Sequence, residues 1–208
     1  MSDLSSQVIP EFKKAPTSPD VLPAIANRWS PRAFLDKPVA KETLHTLLEA
    51  AHWAASSNNE QPWRFIIATK ENPEEYARLF SVLVERNQLW AKAAPVLMLS
   101  VAKKTGTKNG KPNRFYLYDT GAACATLCIQ AAALGLAAHS MGGYDATRAR
   151  ELFNIPEDFE PGAAIALGYP GPADSVPEDF KAGELAPRMR KPLSEFAFTT
   201  HWGTAVDL

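Results

Sequence analysis

The chain has 208 residues, and its 22 basic and 23 acidic residues leave a formal net charge of −1 at pH 7. This balance provides no overall field for nucleic acid or an anionic membrane, so neither is expected as a partner. The start of the sequence shows no basic stretch followed by an apolar one, and without a visible secretory signal we expect a cytoplasmic location. The length permits one large domain, placed over residues 20–208 behind a Ser- and Pro-rich surface arm over 1–19.

Helical periodicity marks three elements in the first half of the chain. A first helix is expected over about 20–28, and the apolar residues of 44–55 recur at the spacing of a second helix. A third helix begins with Asn72 as its cap and Glu75 at the capping-box position, and it is expected to continue to about Trp90.

The centre of the fold is predicted from two continuous apolar segments and one long uncharged segment. Residues 95–101 and 163–167 have the length and composition of strands that are covered on both faces. The uncharged segment 121–138 is rich in Ala and Gly, which favours a buried helix, of a kind that two subunits can share, over a membrane span.

Two features allow a chemical interpretation and a structural one. Cys124 and Cys128 are four residues apart in a helical pattern, which favours two buried small side chains over a metal or redox pair. Residues 103–111 superficially resemble a phosphate loop, but only three residues separate the two glycines, and Pro112 stands where Ser or Thr would bind magnesium. A solvated loop is therefore favoured, and the spacing of the four histidines predicts no metal site.

The segment from Ser56 to Trp63 is the strongest sign of a binding site. It contains five amide or hydroxyl side chains within six positions and is closed by Pro62 and Trp63. Such side chains offer donors and acceptors to a heterocycle that has a polar edge and an apolar face. The segment predicts a cofactor site better than a surface loop.

Two basic motifs and one glycine pair complete the candidate residues. The motif Arg28-x-Ser30-x-Arg32 and the later Arg188-x-Arg190 carry guanidinium groups suited to phosphate, although each motif alone is more typical of a solvated face. A short strand ends at Met141, and the following Gly142-Gly143 is either an ordinary turn or a close backbone approach to a flat ligand. A helix over about 146–153 follows, with Asp145 as its cap.

No order of Ser, His, Cys and Asp residues suggests acyl transfer, so a bound group would have to supply any electron chemistry. Taken in sequence, the motifs resemble the nitroreductase family, the FMN-dependent NAD(P)H oxidoreductases. The resemblance runs from about Asn27 to Trp202. The matching residues are Arg28, Ser30 and Arg32; Ser56, Ser57, Asn59, Gln61, Pro62 and Trp63; Trp90-Ala91 and Ala94-Pro95; Asp119 and Gly121; Gly135-Leu136; Gly142-Gly143; Gly168-Tyr169; and Arg188 and Arg190.

The resemblance implies an α+β fold, a three-layer α/β/α sandwich with a mainly antiparallel central sheet flanked by helices. It also implies a homodimer with FMN at the subunit interface. The C-terminal segment, about 188–208, would extend onto the partner and exchange a strand, because residues 196–198 have no obvious hairpin partner of their own.

The resemblance also assigns roles to individual residues. The phosphate and the polar edge of the flavin would be held by Arg28, Ser30, Arg32, Arg188 and Arg190. Ser56, Ser57, Asn59 and Gln61 would contact the ribityl chain and ring from across the interface. Met141, Gly142 and Gly143 would lie beside the ring, with the Gly142 backbone N–H facing flavin N5 and Gly143 keeping the approach clear. Departures from many relatives are Ala55, where they have Pro, and Gly142, where some have an acidic residue.

The implied activity is ping-pong transfer of electrons from NAD(P)H through flavin N5 to a small-molecule acceptor, a nitroaromatic, a quinone or another flat conjugated compound. Residues 114–118 and Trp90 would line the access channel or belong to the core. Alternatives are a non-catalytic flavin carrier or sensor, a helical interaction protein without a cofactor, and related flavin chemistry such as reductive dehalogenation or flavin fragmentation.

Overall fold

The computed structural model describes residues 10–207, so the first nine positions of the predicted arm over 1–19 and the last residue of the predicted domain lie outside it. The first helix is shorter than predicted, because the chain turns extended at Arg28. Seven α-helices occur over the described range: α1 Pro23–Asn27, α2 Lys41–His52, α3 Pro73–Phe80, α4 Glu85–Ala91, α5 Tyr116–Ala133, α6 Ala146–Leu152 and α7 Glu178–Leu185. The strands are β1 Trp63–Thr69, β2 Val96–Lys103, β3 Ala137–Met141 and β4 Phe159–Gly168.

The four strands form one sheet in the order β1-β2-β4-β3, and every neighbouring pair is antiparallel. The two apolar segments predicted to be central strands are β2 and β4, which do occupy the centre. β4 begins four residues earlier than the apolar run, at Phe159, because its polar start still pairs with the end of β2 at Lys103.

Alternate side chains of the central strands enter two separate cores. Leu97 and Leu99 of β2 pack in a cluster with Leu79 of α3 and Trp90 of α4. Val96 and Met98 of the same strand point to the opposite face, where helices α2 and α5 cover them. Because a strand presents successive side chains to opposite faces, this division confirms the three-layer α/β/α sandwich.

The long helix predicted over 121–138 is α5, which begins five residues earlier, at Tyr116, and ends five residues earlier, at Ala133. Gly135 follows with φ 73, a conformation that favours glycine and turns the chain into β3. Within residues 10–207 no helix has both the length and the apolar character that crossing a membrane requires.

The third helix predicted to run to about Trp90 is wrong in its extent, because two helices occur there. α3 ends at Phe80 and α4 begins at Glu85, and the intervening segment bonds to the turn after β3. The Val84 N–H donates to the Gly143 carbonyl at 3.1 Å, and the Val82 carbonyl accepts from the Asp145 N–H at 2.8 Å. The Asn72 side chain makes no capping bond, whereas Asp145 caps α6 as predicted by accepting from the Arg148 N–H.

The C-terminal segment has a hairpin partner in its own chain, contrary to the expectation from the sequence. Phe198 pairs with Ala205 in an antiparallel bridge, supported by a bond from the Val206 N–H to the Ala197 carbonyl. Thr200, with φ 52, and Gly203, with φ 88, form the turn between them. The exchange of this segment onto a partner subunit stays a prediction.

Candidate functional site

Three arginines from the two basic motifs converge on one place. Burial and the positive charges of Arg28 and Arg190 lower the pKa of Arg188, so both of these guanidinium groups lie within electrostatic reach of Arg188. None of the three forms an ion pair with a carboxylate in the described part of the chain. Like charges that lie together without a counter-charge favour an anion, and planar guanidinium groups suit a phosphate.

Local hydrogen bonds orient these arginines. Arg28 Nη1 donates to Ser30 Oγ at 3.2 Å, so the hydroxyl of the first motif lies beside its guanidinium. Arg188 Nη1 donates to the Lys13 carbonyl at 3.2 Å and to a carbonyl at the end of α1. Within residues 10–207 Arg190 bonds only to the adjacent Met189 carbonyl, at 2.8 Å, and it is exposed.

Arg32 lies in different surroundings from the other site arginines. Its guanidinium carbon is 5.9 Å from the ring centroid of Trp90 and 5.5 Å from that of Phe180, which places it against aromatic faces. Its backbone N–H donates to Glu184 Oε1 at 2.8 Å. Its charge and that of Arg188 both act to lower the pKa of Lys13, after the larger effect of burial, so Arg32 lies in the neighbourhood of the other site arginines while its guanidinium group faces aromatic rings.

His139 on β3 holds the first basic motif against the sheet. Its Nδ1 lies 2.9 Å from the Pro31 carbonyl, and its ring centroid lies 4.6 Å from that of Trp90. Burial lowers its pKa, and the nearby Arg32 and Arg28 act in the same direction, so the imidazole is neutral near pH 7. Sequence reasoning considered His139 only as a metal ligand and missed this packing role.

A cavity of about 630 Å³ has Arg28 in its wall. This volume falls in the range of small-molecule and cofactor sites, roughly 300–1,000 Å³. Strands β2, β3 and β4 form one wall and helix α5 the other. Its lining residues include Arg28, Ser100, Ser140, Gly162, Ala163, Gly121, Cys124 and Cys128.

Ser100 lies at a register shift between two of the strands that form the wall of this cavity. The register between β2 and β4 shifts between Leu99 and Val101, and the buried Ser100 lies at the shift. Its Oγ donates to the Ala163 carbonyl at 3.1 Å and accepts from the Ala163 N–H at 2.8 Å. A Cβ at Gly162 would lie 2.7 Å from this oxygen. Sequence reasoning missed Ser100, since one serine in an apolar run gives no signal of a bulge.

The two cysteines lie on the wall formed by α5. Burial raises the pKa of the Cys124 thiol to about 11 and also raises that of Cys128. Both are free thiols, and at neutral pH both are protonated. These properties fit the interpretation as small buried side chains that make room for a ligand.

The amide-rich segment folds into a compact loop. The Ser57 N–H donates to Oδ2 of the buried Asp119 at 3.1 Å, which ties the loop to α5. The Gln61 N–H donates to Ser56 Oγ at 3.1 Å, and Gln61 Nε2 donates to Asn59 Oδ1 at 3.1 Å. The side chains proposed to meet a ligand are therefore partly bonded to one another in the single chain.

Three residues of this loop have left-handed backbone conformations. The φ angles are 52° at Asn58, 56° at Asn59 and 48° at Gln61. Such a conformation costs an L-residue about 1–2 kcal/mol, and asparagine tolerates it better than most residues do. Non-glycine residues in such conformations cluster at functional sites, where the surrounding structure maintains them.

The loop and Arg28 reach α5 at different points. Asp119 holds the loop, whereas the charge of Arg28 acts on Cys128, nine positions later. Nine positions of an α-helix correspond to about 13.5 Å at 1.5 Å per residue. The cavity includes no residue of 56–61, so within one chain the loop and the arginines do not line a common cavity.

The two glycines after β3 differ in their surroundings. In the described part of the chain the Gly142 N–H has no backbone acceptor, and a Cβ at this position would meet nothing within 4 Å. A Cβ at Gly143 would lie 2.7 Å from Asn87 Nδ2 and 2.9 Å from a methyl group of Val84. Packing in its own chain thus explains why Gly143 is glycine, while Met141 is buried in the core.

Comparison with known proteins agrees with the fold and the motifs. The sequence model of the Nitroreductase family matches residues 25–169. The chain belongs to the nitroreductase family. Since the match ends at Tyr169, the placement of Arg188 and Arg190 beside Arg28 rests on the structure.

Individual members of the nitroreductase family support this assignment. A protein of Methanothermobacter thermautotrophicus, provisionally named NADH dehydrogenase/NAD(P)H nitroreductase, is 33% identical over 155 residues, which are 73% of this chain and 78% of that protein. A solved structure described as an oxidoreductase containing FMN is 37% identical, with a TM-score of 0.85 over 92% of this chain and 96% of the other. A nitrobenzene nitroreductase of Ectopseudomonas oleovorans is 46% identical over 59 residues, 28% of this chain and 26% of that protein. The protein is therefore an oxidoreductase.

Proposed function

We propose that this member of the nitroreductase family is an FMN-dependent oxidoreductase that transfers electrons from NAD(P)H to a nitroaromatic, a quinone or another flat conjugated acceptor. The observation that carries the proposal is Arg28 in the wall of a cavity of about 630 Å³, with Arg188 within electrostatic reach of both Arg28 and Arg190 and with no ion pair to any of the three within the described residues. The names of the relatives, which include FMN, NAD(P)H and nitrobenzene, support the same activity. The cytoplasmic location stays a prediction from the sequence.

The charges of the site arginines fit the phosphate of FMN, and the volume of the cavity, about 630 Å³, is in the range of cofactor sites. Arg28, Arg188 and Arg190 would bind the phosphate dianion, and Ser30 would orient Arg28. Gly142 is exposed, and its N–H has no backbone acceptor within the described residues. This N–H is the proposed donor to flavin N5, where it would stabilise negative charge. When bound, FMN supplies hydride transfer, a chemistry that amino-acid side chains do not provide.

A homodimer with two sites at its interface is part of the proposal. The loop contacts α5 at Asp119 and the charge of Arg28 reaches it at Cys128, so a two-fold axis across antiparallel α5 helices would bring the loop of one copy toward Arg28 of the other. The outer face of α5 suits such contact, because Tyr118 is 78% exposed and Gly121 and Ala125 are small and exposed. Ser56, Ser57, Asn59 and Gln61 would then reach the ribityl chain and ring of the partner's site.

The aromatic residues named as channel candidates divide into two groups. Trp90 is 2% exposed and belongs to the core. Phe115 and Tyr118 are exposed at the start of α5. The alternative that these two side chains belong to the core is therefore wrong for the single chain. We propose that they border the interface and the acceptor entrance.

The activity is tested by reconstitution and anaerobic reduction. The purified protein should retain FMN or bind it on addition, and NADH or NADPH should then bleach the visible flavin absorbance without oxygen. Adding a nitroaromatic or a quinone should restore the absorbance, and steady-state rates should give the parallel double-reciprocal lines of a ping-pong mechanism. Failure to bind FMN would contradict the proposal, and bound FMN that neither coenzyme bleaches would indicate a flavin carrier.

Replacing Asn59 by glycine should raise the dissociation constant of FMN about 2- to 12-fold, the effect of one neutral hydrogen bond. Glycine removes the amide but keeps the left-handed backbone, whereas Asn59→Ala should also lower the free energy of unfolding by about 1 kcal/mol because φ is 56° there. Fluorescence titration with FMN and urea denaturation measure the two effects.

The neighbouring Asn58 provides a matched control for this loop. It also has a left-handed conformation, with φ 52, but is not assigned to the flavin. Asn58→Gly should therefore leave FMN affinity unchanged. Equal FMN affinity in the wild type and in Asn59→Gly would mean that the loop has only a structural role.

A further inference from the structure

Two oppositely charged side chains are buried behind the proposed phosphate site. Lys13 is 3% exposed and Glu184 is 2% exposed, although such side chains are rarely buried to this degree. Lys13 comes from the arm before α1 and Glu184 from the last turn of α7. Neither was singled out in the sequence, because Lys13 and the adjacent Lys14 look equivalent there.

Lys13 contacts both basic motifs and the end of α7. Its Nζ donates to the carbonyls of Gly183 at 3.0 Å and Ala186 at 2.7 Å, at the C-terminal end of α7. A positive charge at this end of a helix also complements the helix dipole. The same ammonium lies 4.7 Å from the ring centroid of Trp29, inside the first motif. Its backbone carbonyl accepts from Arg188 Nη1 at 3.2 Å, in the second motif.

Glu184 supports the first basic motif from the other side. Its Oε1 accepts from the Arg32 N–H at 2.8 Å, and its Oε2 has no hydrogen-bond partner within the described residues. Burial raises its pKa, while the charges of Lys13 and Arg32 act in the opposite direction. A buried carboxyl group with an unused oxygen is costly for folding, so packing alone gives no reason for it.

We propose that Lys13 and Glu184 are positioning residues for the phosphate site, which join the N-terminal arm and α7 to the Arg188 guanidinium group and to the backbone of the first basic motif at Arg32. The inference rests on the proposed function, because Arg188 and Arg28 of that motif are assigned there to the FMN phosphate. Arginines that are held before binding lose less conformational freedom when the ligand arrives. The two residues therefore favour FMN over riboflavin, which has the same ring and ribityl chain without the phosphate.

The ratio of riboflavin to FMN dissociation constants tests the role of Lys13. Lys13→Met should lower this ratio about 3- to 10-fold, the effect of one or two side chains that are no longer pre-ordered. Lys13→Arg keeps the charge and the donors and should restore most of the ratio. The exposed Lys14 is the matched control, since in the described part of the chain it pairs with Glu11 alone, at 2.6 Å, and Lys14→Met should leave the ratio unchanged.

A second pair of variants tests Glu184 and does not depend on Lys13. Glu184→Ala and Glu184→Gln both remove the charge, but only the glutamine keeps an acceptor for the Arg32 N–H. The alanine variant should lower the ratio about 3- to 10-fold and the glutamine variant less than about 2-fold, because the loss of positioning and not of charge causes the effect.

The outcomes separate the inference from the proposed function. If the wild-type protein binds FMN no better than riboflavin, the proposed phosphate site is contradicted, and the inference is contradicted with it. A wild-type preference for FMN that is unchanged in Lys13→Met and Glu184→Ala would overturn the inference alone. Equal weakening of FMN and riboflavin in those variants would also overturn it, since general destabilisation affects both ligands.

Discussion

Replacing Arg28 and Arg190 together by alanine should weaken FMN binding about 100- to 10,000-fold, the largest functional effect that we expect from any pair of side chains outside the core. The reason is that each charge-assisted hydrogen bond contributes about 1.5–3 kcal/mol, and both guanidinium groups would contact the phosphate. The cofactor-free variant should be as stable as the wild type, or more so, because Arg188 loses two like charges that disfavour its own.

The measurement is a titration of cofactor-free protein with FMN and with riboflavin, followed by urea denaturation of each variant. Riboflavin affinity should change little, because it lacks the phosphate. The control replaces Arg78 and Arg148, which are exposed on α3 and α6, so that net charge changes equally at a distance from the cavity. A comparable loss of FMN affinity in the control would mean that overall charge, and not a built phosphate site, governs binding.

Trp90→Ala should lower the free energy of unfolding by about 3–5 kcal/mol, the usual cost of deleting a buried aromatic side chain. The indole is 2% exposed and packs on Phe34, with ring centroids 6.4 Å apart, and on His139. Because His139 and Arg32 also contact this ring, the variant should lose FMN affinity too. Urea denaturation at a fixed chain concentration measures the loss.

Two further tryptophan substitutions show whether the loss of stability comes from the burial of Trp90 or from the removal of any tryptophan. Trp53 is 79% exposed, so Trp53→Ala should change the free energy of unfolding by less than about 0.5 kcal/mol. Trp90→Phe should cost less than about 1.5 kcal/mol, because it keeps an aromatic ring and removes the buried Nε1, which has no acceptor within the described residues. A Trp90→Ala variant as stable as the wild type would contradict the assignment of Trp90 to the core.

Much of the fold could be predicted because its strongest elements have clear periodicity. The continuous apolar runs became β2 and β4, and Asp145 caps α6 as its position suggested. The predicted third helix failed where local propensity competed with tertiary bonds. Residues 81–84 have no helix breaker, yet their backbone groups pair with the turn after β3, including the bridge between Leu83 and Tyr144.

The candidate site was predicted as a set of motifs and not as an arrangement. Arg28, Arg188 and Arg190 were recognised from residue type and order, but 160 positions separate Arg28 from Arg188, and only folding shows their proximity. Local signals also gave Arg32 the same role as Arg28, whereas aromatic rings and Glu184 surround it. Ser100 and Lys13 carry no motif, because their roles depend on partners distant in the sequence.

Apolar periodicity predicted the central strands and the main helices, and the order of short motifs, through its resemblance to the nitroreductase family, predicted an α+β oxidoreductase, since these properties are local and survive in the unfolded chain. Tertiary structure alone decided which charges lie close together, which lysine is buried and which glycine has free space. These properties depend on contacts between residues that are far apart in the sequence. The separation along α5 of the loop at Asp119 from Arg28 near Cys128 is of this kind, and the proposal of a second copy of the chain rests on it.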